Sequence, residues 1–103
     1  MAHNSILVVD DNPSKRREIV QTLDSLALGE SIKVQTAQSQ SEALQMMAGE
    51  SFKLLILDMN IPLREGENAE PDGGIQVLNI IQRGQHKVPE HVIGLTGSVE
   101  NPV

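Results

Sequence analysis

The stretch ILVVDDNPSKRRE, residues 6–18, decides the fold that the rest of the chain follows. Four apolar residues, three of them β-branched, lead directly into Asp10 and Asp11, and such a run is typical of a strand buried on both faces. Asn12 and Pro13 then suit a helix N-cap and first helical position, because the missing N–H of proline costs nothing there. The stretch therefore predicts a buried strand that ends on two carboxylates and turns at once into a helix.

The same alternation of strand and helix patterns continues along the chain. Apolar spacing and turn residues predict, in order, a strand at 6–9, helix at 14–28, strand at 31–37, helix at 39–49, strand at 52–58, loop at 59–74, helix at 75–84 and strand at 91–97. Ser39 and Glu42 form a capping-box signature at the start of the second helix. The order β-α-β-α-β-α-β predicts an α/β fold with a parallel sheet and helices on both of its faces.

Two helix faces follow from the apolar spacing. In the first helix the residues expected to face the core are Ile19, Val20, Leu23, Leu26 and Ala27. In the third helix they are Ile75, Leu78 and Ile81. The basic run at residues 15–17 is expected to be the solvated side of the first helical turn.

Composition limits the classes of function. The chain has 103 residues, which is one domain at most, and a net charge of −6, which argues against direct nucleic-acid binding. It has no cysteine, which excludes thiol catalysis and suits a reducing cytoplasm. Apolar runs are only a few residues long, so we expect no membrane span and no secretory signal.

Polar residues follow three of the predicted strands. Asp10 and Asp11 follow the first, Asp58 ends the third and Thr96 follows the fourth. The carboxyl ends of parallel strands lie at one edge, where α/β sheets gather their functional groups. Three converging carboxylates repel each other unless a cation offsets them, and Mg²⁺ prefers oxygen ligands.

A carboxylate beside Mg²⁺ can act as a nucleophile towards a phosphoryl donor. Asp58 suits this role because it stands alone and a long loop after it leaves room for the donor. Asp10 and Asp11 are better placed to hold the metal, and the Thr96 hydroxyl could hydrogen-bond the phosphoryl group. Read singly, Asp10 would be a helix cap or turn residue and Thr96 an ordinary strand residue, so the combination carries the hypothesis.

These motifs resemble those of the receiver domain of two-component response regulators. ILVVDDNPSKRREIVQTL resembles the first strand, acidic pair and first helix of that family, LLILDMNIP its phosphorylation-site strand, and VIGLTG its fourth strand. The resemblance runs from about Ile6 to Gly97. It implies a flavodoxin-like (CheY-like) three-layer α/β/α fold with strand order 2-1-3-4, forming a single receiver-like domain over residues 1–103.

The resemblance also implies roles for individual residues. Asp58 would be the phosphoacceptor, and it would bind Mg²⁺ together with Asp11 and the backbone carbonyl of Asn60. Asp10 would support the metal through water or a hydrogen bond, and Thr96 would be the switch residue. The implied protein is a cytoplasmic bacterial signalling switch rather than a turnover enzyme. Its implied partners are a histidine kinase or phosphotransfer protein and an output domain or effector outside this chain.

Two features depart from the family pattern. The loop between Pro62 and Gly74 is longer than usual, and the chain stops at Val103 before a fifth strand with its lysine. Lys53 and Lys87 lie at the beginnings of strands, the wrong end to replace it. We therefore expect an incomplete receiver, with an exposed fourth-strand edge through which the chain self-associates.

Other classes remain open on the sequence alone. A degenerate receiver would bind proteins without being phosphorylated, and the missing lysine favours it. A haloacid-dehalogenase-type phosphatase also forms an aspartyl phosphate, but it requires D-x-D after the first strand, where this chain has Asn12. A nucleotide-binding flavodoxin-like module is unsupported, because no G-x-G-x-x-G or G-K-[ST] motif follows the first strand.

Overall fold

A four-stranded parallel sheet forms the centre of the molecule. The computed structural model describes residues 5–26 and 31–95. The elements are β1 (Ser5–Val9), α1 (Pro13–Leu26), β2 (Lys33–Ala37), α2 (Gln40–Gly49), β3 (Leu54–Asp58), α3 (Gly73–Ile80), a π-helical turn (Ile81–Gln85) and β4 (His91–Leu95). The strand order is β2-β1-β3-β4, which confirms the predicted topology and the flavodoxin-like fold.

Side chains alternate between the two faces of the sheet, so the core has two parts. On one face, strand residues of β1 and β3 pack against α2, α3 and the π-helical turn. The strand residues are Leu7, Val9, Leu55 and Leu57, and the helical residues are Ala43, Met47, Val77 and Ile81. On the other face Ile6, Val8 and Ile56 pack with Ile19 and Leu23 of α1. The sheet therefore has helices on both sides, as the alternation of elements predicts.

The first helix covers its face of the sheet thinly. No residue of α1 is fully buried, and Leu26, which we expected to face the core, is 64% exposed. Ile19, Val20 and Leu23 are only half-buried. The expectation for Leu26 was wrong, since Ile19 and Leu23 are the α1 residues that pack on this face of the sheet.

The third helix begins two residues earlier than predicted and presents a different face. Ile75, expected to face the core, is 48% exposed, whereas Gly73, Gly74 and Val77 are buried. A Cβ on Gly74 would lie 2.7 Å from Met59 Cα and 2.9 Å from the carbonyl oxygen of Asp58. The two glycines thus pack against the end of β3 and the loop that follows it, while Ile75 faces outward.

The long loop after β3 is attached to the second helix. Pro62 and Leu63 accept hydrogen bonds through their carbonyl oxygens from the backbone N–H groups of Gln40 (2.9 Å) and Ser41 (3.0 Å). An isolated antiparallel bridge joins Ile61 to Glu70 and closes the loop on itself. The first part of the loop is therefore ordered by α2.

Ser39 caps the second helix as predicted, but the return bond of the capping box goes to Gln38 instead of Ser39. Ser39 Oγ accepts a hydrogen bond from the N–H of Glu42 at 3.2 Å, and the Glu42 carboxylate accepts one from the N–H of Gln38 at 2.9 Å.

None of the helices within the described ranges has the length and apolar character needed to cross a membrane.

Candidate functional site

Two neighbouring strands bring the predicted carboxylates together. Val9 lies opposite Leu57 in the parallel register of β1 and β3, so Asp10 and Asp58 leave the sheet side by side. Asp10 and Asp58 are buried and Asp11 is half-buried. One carboxylate oxygen from each of the three lies within 4.8 Å of the others. The convergence expected from the sequence is therefore present.

Asp10 and Asp58 are held by matching turns. Asp10 Oδ1 accepts a hydrogen bond from the N–H of Asn12 at 2.9 Å, and Asp58 Oδ1 accepts one from the N–H of Asn60 at 3.0 Å. In both cases the donor lies two residues further along the chain, as in an Asx-turn. Each carboxylate thus has one oxygen engaged in its own turn, while Oδ2 is left for other contacts.

The first helix begins against this cluster. Asn12 Oδ1 accepts hydrogen bonds from the N–H groups of Ser14 (2.9 Å) and Lys15 (3.2 Å), so Asn12 is the N-cap that the sequence predicts. The Arg16 guanidinium donates a hydrogen bond to the carbonyl oxygen of Asp10 at 2.8 Å. These contacts fix the start of α1 relative to the end of β1.

Lys15 belongs to the cluster, contrary to our expectation for the basic run. Its Nζ lies 3.3 Å from Asp10 Oδ2 and 3.5 Å from Asp58 Oδ2. Of that run, Arg17 is exposed as expected, whereas Lys15 and Arg16 contact the site. A sequence signal existed: cations are unfavourable at a helix N-terminus, so a basic first turn directly after two aspartates indicates an electrostatic partner nearby.

Burial and neighbouring charges both shift the pKa values of Asp58 and Lys15. Burial raises the pKa of Asp58 most, the hydrogen bond from the Asn60 N–H lowers it, the charge of Asp10 raises it and Lys15 lowers it, and the net effect is a raised pKa. Burial tends to lower the pKa of Lys15, but the charges of Asp10 and Asp58 together outweigh it and the pKa is raised. The ionised form of Asp58 is therefore destabilised in the folded chain, and a bound cation would stabilise it.

The donor set fits a hard divalent cation. A cavity of about 280 Å³ is lined by Asp10, Asp11, Asn12, Lys15, Asp58, Asn60 and Ala69. Its ligand atoms are oxygens, and buried Asp10 Oδ2 has no partner among the described residues beyond its ion pair with Lys15. Oxygen-rich sites with carboxylates and room for water are those that Mg²⁺ prefers.

The remaining predicted site residues are placed as follows. Asn60 lines the cavity, and Ala69 shows that the long loop contributes to its rim. Thr96 lies outside the described residues. Lys53 and Lys87 precede β3 and β4 respectively, as expected, and Lys53 lines a separate apolar cavity of about 540 Å³ at the opposite end of the strands.

Comparison with known proteins agrees with this fold. The family model of the response regulator receiver domain matches residues 6–103. An uncharacterised protein of Sinorhizobium fredii (strain NBRC 101917 / NGR234), y4jS, is 41% identical over 97 residues, which are 92% of this chain and 23% of that protein. The response regulator protein PilR of Pseudomonas aeruginosa (strain PAO1) is 28% identical over 104 residues, which are 100% of this chain and 20% of PilR.

Solved structures lead to the same class. The MaeR response regulator bound to beryllium trifluoride superposes with a TM-score of 0.69 at 26% identity, covering 94% of this chain and 70% of that one. A mutant of MaeR bound to sulfate superposes with a TM-score of 0.68 at 23% identity over the same shares, and shows likeness of fold alone. The fold and site define a receiver-type α/β module. The chain belongs to the response regulator receiver domain family, and it spans less than a quarter of the length of the two curated relatives.

Proposed function

We propose that this chain is a phosphoacceptor receiver in which Asp58 takes a phosphoryl group in a Mg²⁺-dependent reaction. The observation that carries the proposal is the position of Asp58 at the end of β3, with a carboxylate oxygen within 4.8 Å of oxygens of Asp10 and Asp11. An isolated strand-end aspartate would be an ordinary turn residue. Three carboxylates at one sheet edge, beside a cavity, suit phosphoryl transfer.

The metal roles follow from the cavity. Asp11, Asp58 and the backbone carbonyl of Asn60 would hold Mg²⁺, and Asp10 would support it indirectly, through water or a hydrogen bond. When bound, Mg²⁺ supplies positive charge that stabilises the oxygens of the transferring group. Asp58 Oδ1 is held by the Asn60 N–H, which orients the carboxylate for attack.

The reaction is a group transfer onto Asp58. A carboxylate oxygen forms a bond to phosphorus, while the P–N bond of a kinase phosphohistidine, or the P–O bond of a small acyl phosphate, breaks and the leaving group keeps the electron pair. The product is a mixed anhydride on Asp58. Thr96 would act as the switch residue by contacting the new phosphoryl group. The chain would thereby act as a switch, with self-phosphorylation and self-dephosphorylation as its only chemistry.

The proposal extends to partners and location. The phosphoryl donor would be a histidine kinase or a phosphotransfer protein, and the response would pass to an output domain or effector. The net charge of −6 argues against nucleic-acid contact by this chain itself. We place the protein in the cytoplasm, where such donors act. We also propose self-association through β4, whose Val92 and Ile93 are exposed.

Labelling by acetyl phosphate tests the central role. With Mg²⁺ we expect the intact mass to rise by one phosphoryl group, and we expect no rise with EDTA or in Asp58→Asn. Asp24→Asn, a matched change at an exposed position of α1, should be labelled like the unaltered chain. Equal labelling of Asp58→Asn would show that Asp58 is not the acceptor.

Other outcomes separate the alternatives. A chain that takes no label and binds no beryllofluoride with Mg²⁺ would be a degenerate receiver that acts through protein contacts. Sustained release of phosphate from an ester, with many turnovers per chain, would instead indicate a phosphatase.

A further inference from the structure

We propose that Lys15 is a built-in counter-ion of the carboxylate cluster that competes with Mg²⁺ and so sets the affinity of the site for the metal. The inference rests on the proposed metal-binding function and goes beyond it. It begins from the two ion pairs that Lys15 Nζ makes, at 3.3 Å to Asp10 Oδ2 and 3.5 Å to Asp58 Oδ2.

The ammonium group uses the oxygens that are not committed elsewhere. Oδ1 of Asp10 and Oδ1 of Asp58 accept backbone hydrogen bonds, whereas the Oδ2 atoms point to Lys15. The two Oδ2 atoms are therefore bridged by one cation of this chain. A metal ion that takes oxygens of the same cluster must share them with Lys15 or displace it.

Without the aspartates, a lysine side chain at position 15 would destabilise the folded chain. Lys15 is the third residue of α1, where the helix macrodipole disfavours a positive charge, and the first turn holds no acidic residue to offset it. Its side chain is only 33% exposed, so part of its hydration is lost. The carboxylates compensate for both effects, which explains why a lysine is held there rather than in water.

The charges indicate the direction of the competition. Three carboxylates carry −3, and Lys15 reduces this to −2 in the metal-free molecule. Mg²⁺ binding must break or lengthen the Lys15 contacts, and the free energy of those contacts is lost from the observed affinity. Two partly exposed ion pairs together amount to about 1 kcal/mol, which corresponds to about a fivefold change in Kd.

Isothermal titration of the full chain with Mg²⁺ tests the proposal. Lys15→Met keeps the length of the side chain and removes its charge, and we expect it to bind Mg²⁺ about fivefold more tightly. Arg17→Met is the matched control, because Arg17 carries the same charge in the same helical stretch but is exposed. It should change the affinity by less than about twofold, in keeping with solvent screening.

Thermal unfolding by circular dichroism gives a second readout that does not depend on phosphorylation. Without metal, Lys15→Met should unfold at a lower temperature than the unaltered chain, because the carboxylates then repel without a counter-ion. With saturating Mg²⁺ the difference should shrink or reverse. Both trends should be absent in Arg17→Met.

Several results would overturn the inference. Unchanged or weaker Mg²⁺ binding by Lys15→Met would do so while leaving the metal site intact, and so would equal tightening in Arg17→Met, which would reveal only a long-range charge effect. Failure of the unaltered chain to bind Mg²⁺ would overturn the proposed metal site and the role of Lys15 with it.

Discussion

The proposed function needs Asp58 in its ionised form, which is the form that its buried position destabilises. Its carboxylate is buried beside Asp10, and both burial and that neighbouring charge raise its pKa. The native state therefore holds a proton on Asp58 more tightly than the unfolded chain does. The resulting contribution to stability is present below the pKa of the unfolded chain and is lost as pH rises through the native pKa.

This sign gives a prediction for Asp58→Asn. At neutral pH without metal, the amide should raise the free energy of unfolding by about 1 kcal/mol, because it removes a buried negative charge that Asp10 repels. As the pH falls through the native pKa of Asp58, the gain should diminish, because the native carboxylate then takes up a proton. Thermal unfolding followed by circular dichroism measures both, since the chain has no tryptophan or tyrosine for fluorescence.

The exposed change Asp24→Asn is again the matched control and should show neither the gain nor its pH dependence. A gain of the same size at neutral pH and below the native pKa of Asp58 would contradict the electrostatic explanation. A loss of stability at neutral pH would show that the Lys15 contact outweighs burial and repulsion at Asp58.

At the level of helices and loops, the start of α3 is the tightest junction near the site. Gly73 and Gly74 pack directly on the residues that follow β3, with Gly73 against the Ile61 carbonyl and Gly74 against the backbone of Met59. The N–H of Gly74 donates a hydrogen bond to the carbonyl oxygen of Met59 at 2.9 Å. This junction holds the segment that carries Asn60.

Gly74→Ala should therefore destabilise the fold and disturb the site together. The added Cβ would meet backbone atoms at 2.7 and 2.9 Å, which cannot move as a flexible side chain can. We expect the free energy of unfolding to fall by about 2 kcal/mol, and Mg²⁺ binding to weaken as the loop shifts. Chemical denaturation and metal titration measure these two effects.

Gly49→Ala is the matched control for that substitution. Gly49 ends α2, and a Cβ there would meet nothing within 4 Å, so the change should be neutral or slightly stabilising. Similar stabilities for the two alanine variants would show that the close approach at Gly74 does not constrain the fold.

Considered as a whole, the molecule is covered unevenly. Among residues 5–26 and 31–95, the face of the sheet that packs on α2 and α3 has eleven buried core residues in its cluster, whereas the face under α1 has three. Ile93 of β4 is 48% exposed and borders cavities on this second face. Exposed apolar surface of this kind favours association.

Ile93→Lys should therefore oppose the proposed self-association. We expect the unaltered chain to show a mass that rises with concentration in light scattering, and the lysine variant to weaken association at least about tenfold, or about 1.4 kcal/mol. Ile75→Lys is the matched control, because Ile75 is equally exposed at 48% but lies on α3. A monomeric mass of the unaltered chain at all concentrations would exclude the self-association.

Local patterns were enough for the order of elements and the parallel sheet, whereas the strand order followed from the resemblance to receiver domains. A continuous apolar run, a cap such as Asn12 or Ser39, and a terminating glycine act over a few residues, so they are readable without the fold. The convergence of Asp10, Asp11 and Asp58 was also predictable, because parallel strands bring their carboxyl ends to the same edge.

Long-range contacts decided the rest. The outward direction of Ile75 depends on Gly73 and Gly74 meeting the loop after β3, a contact that helical spacing cannot report. The place of Lys15 depends on two aspartates that are 5 and 43 positions away in the chain, brought within 3.5 Å only when β1 and β3 pair. Periodicity is a property of one segment, whereas a helix rotation or an ion pair depends on several segments folded together.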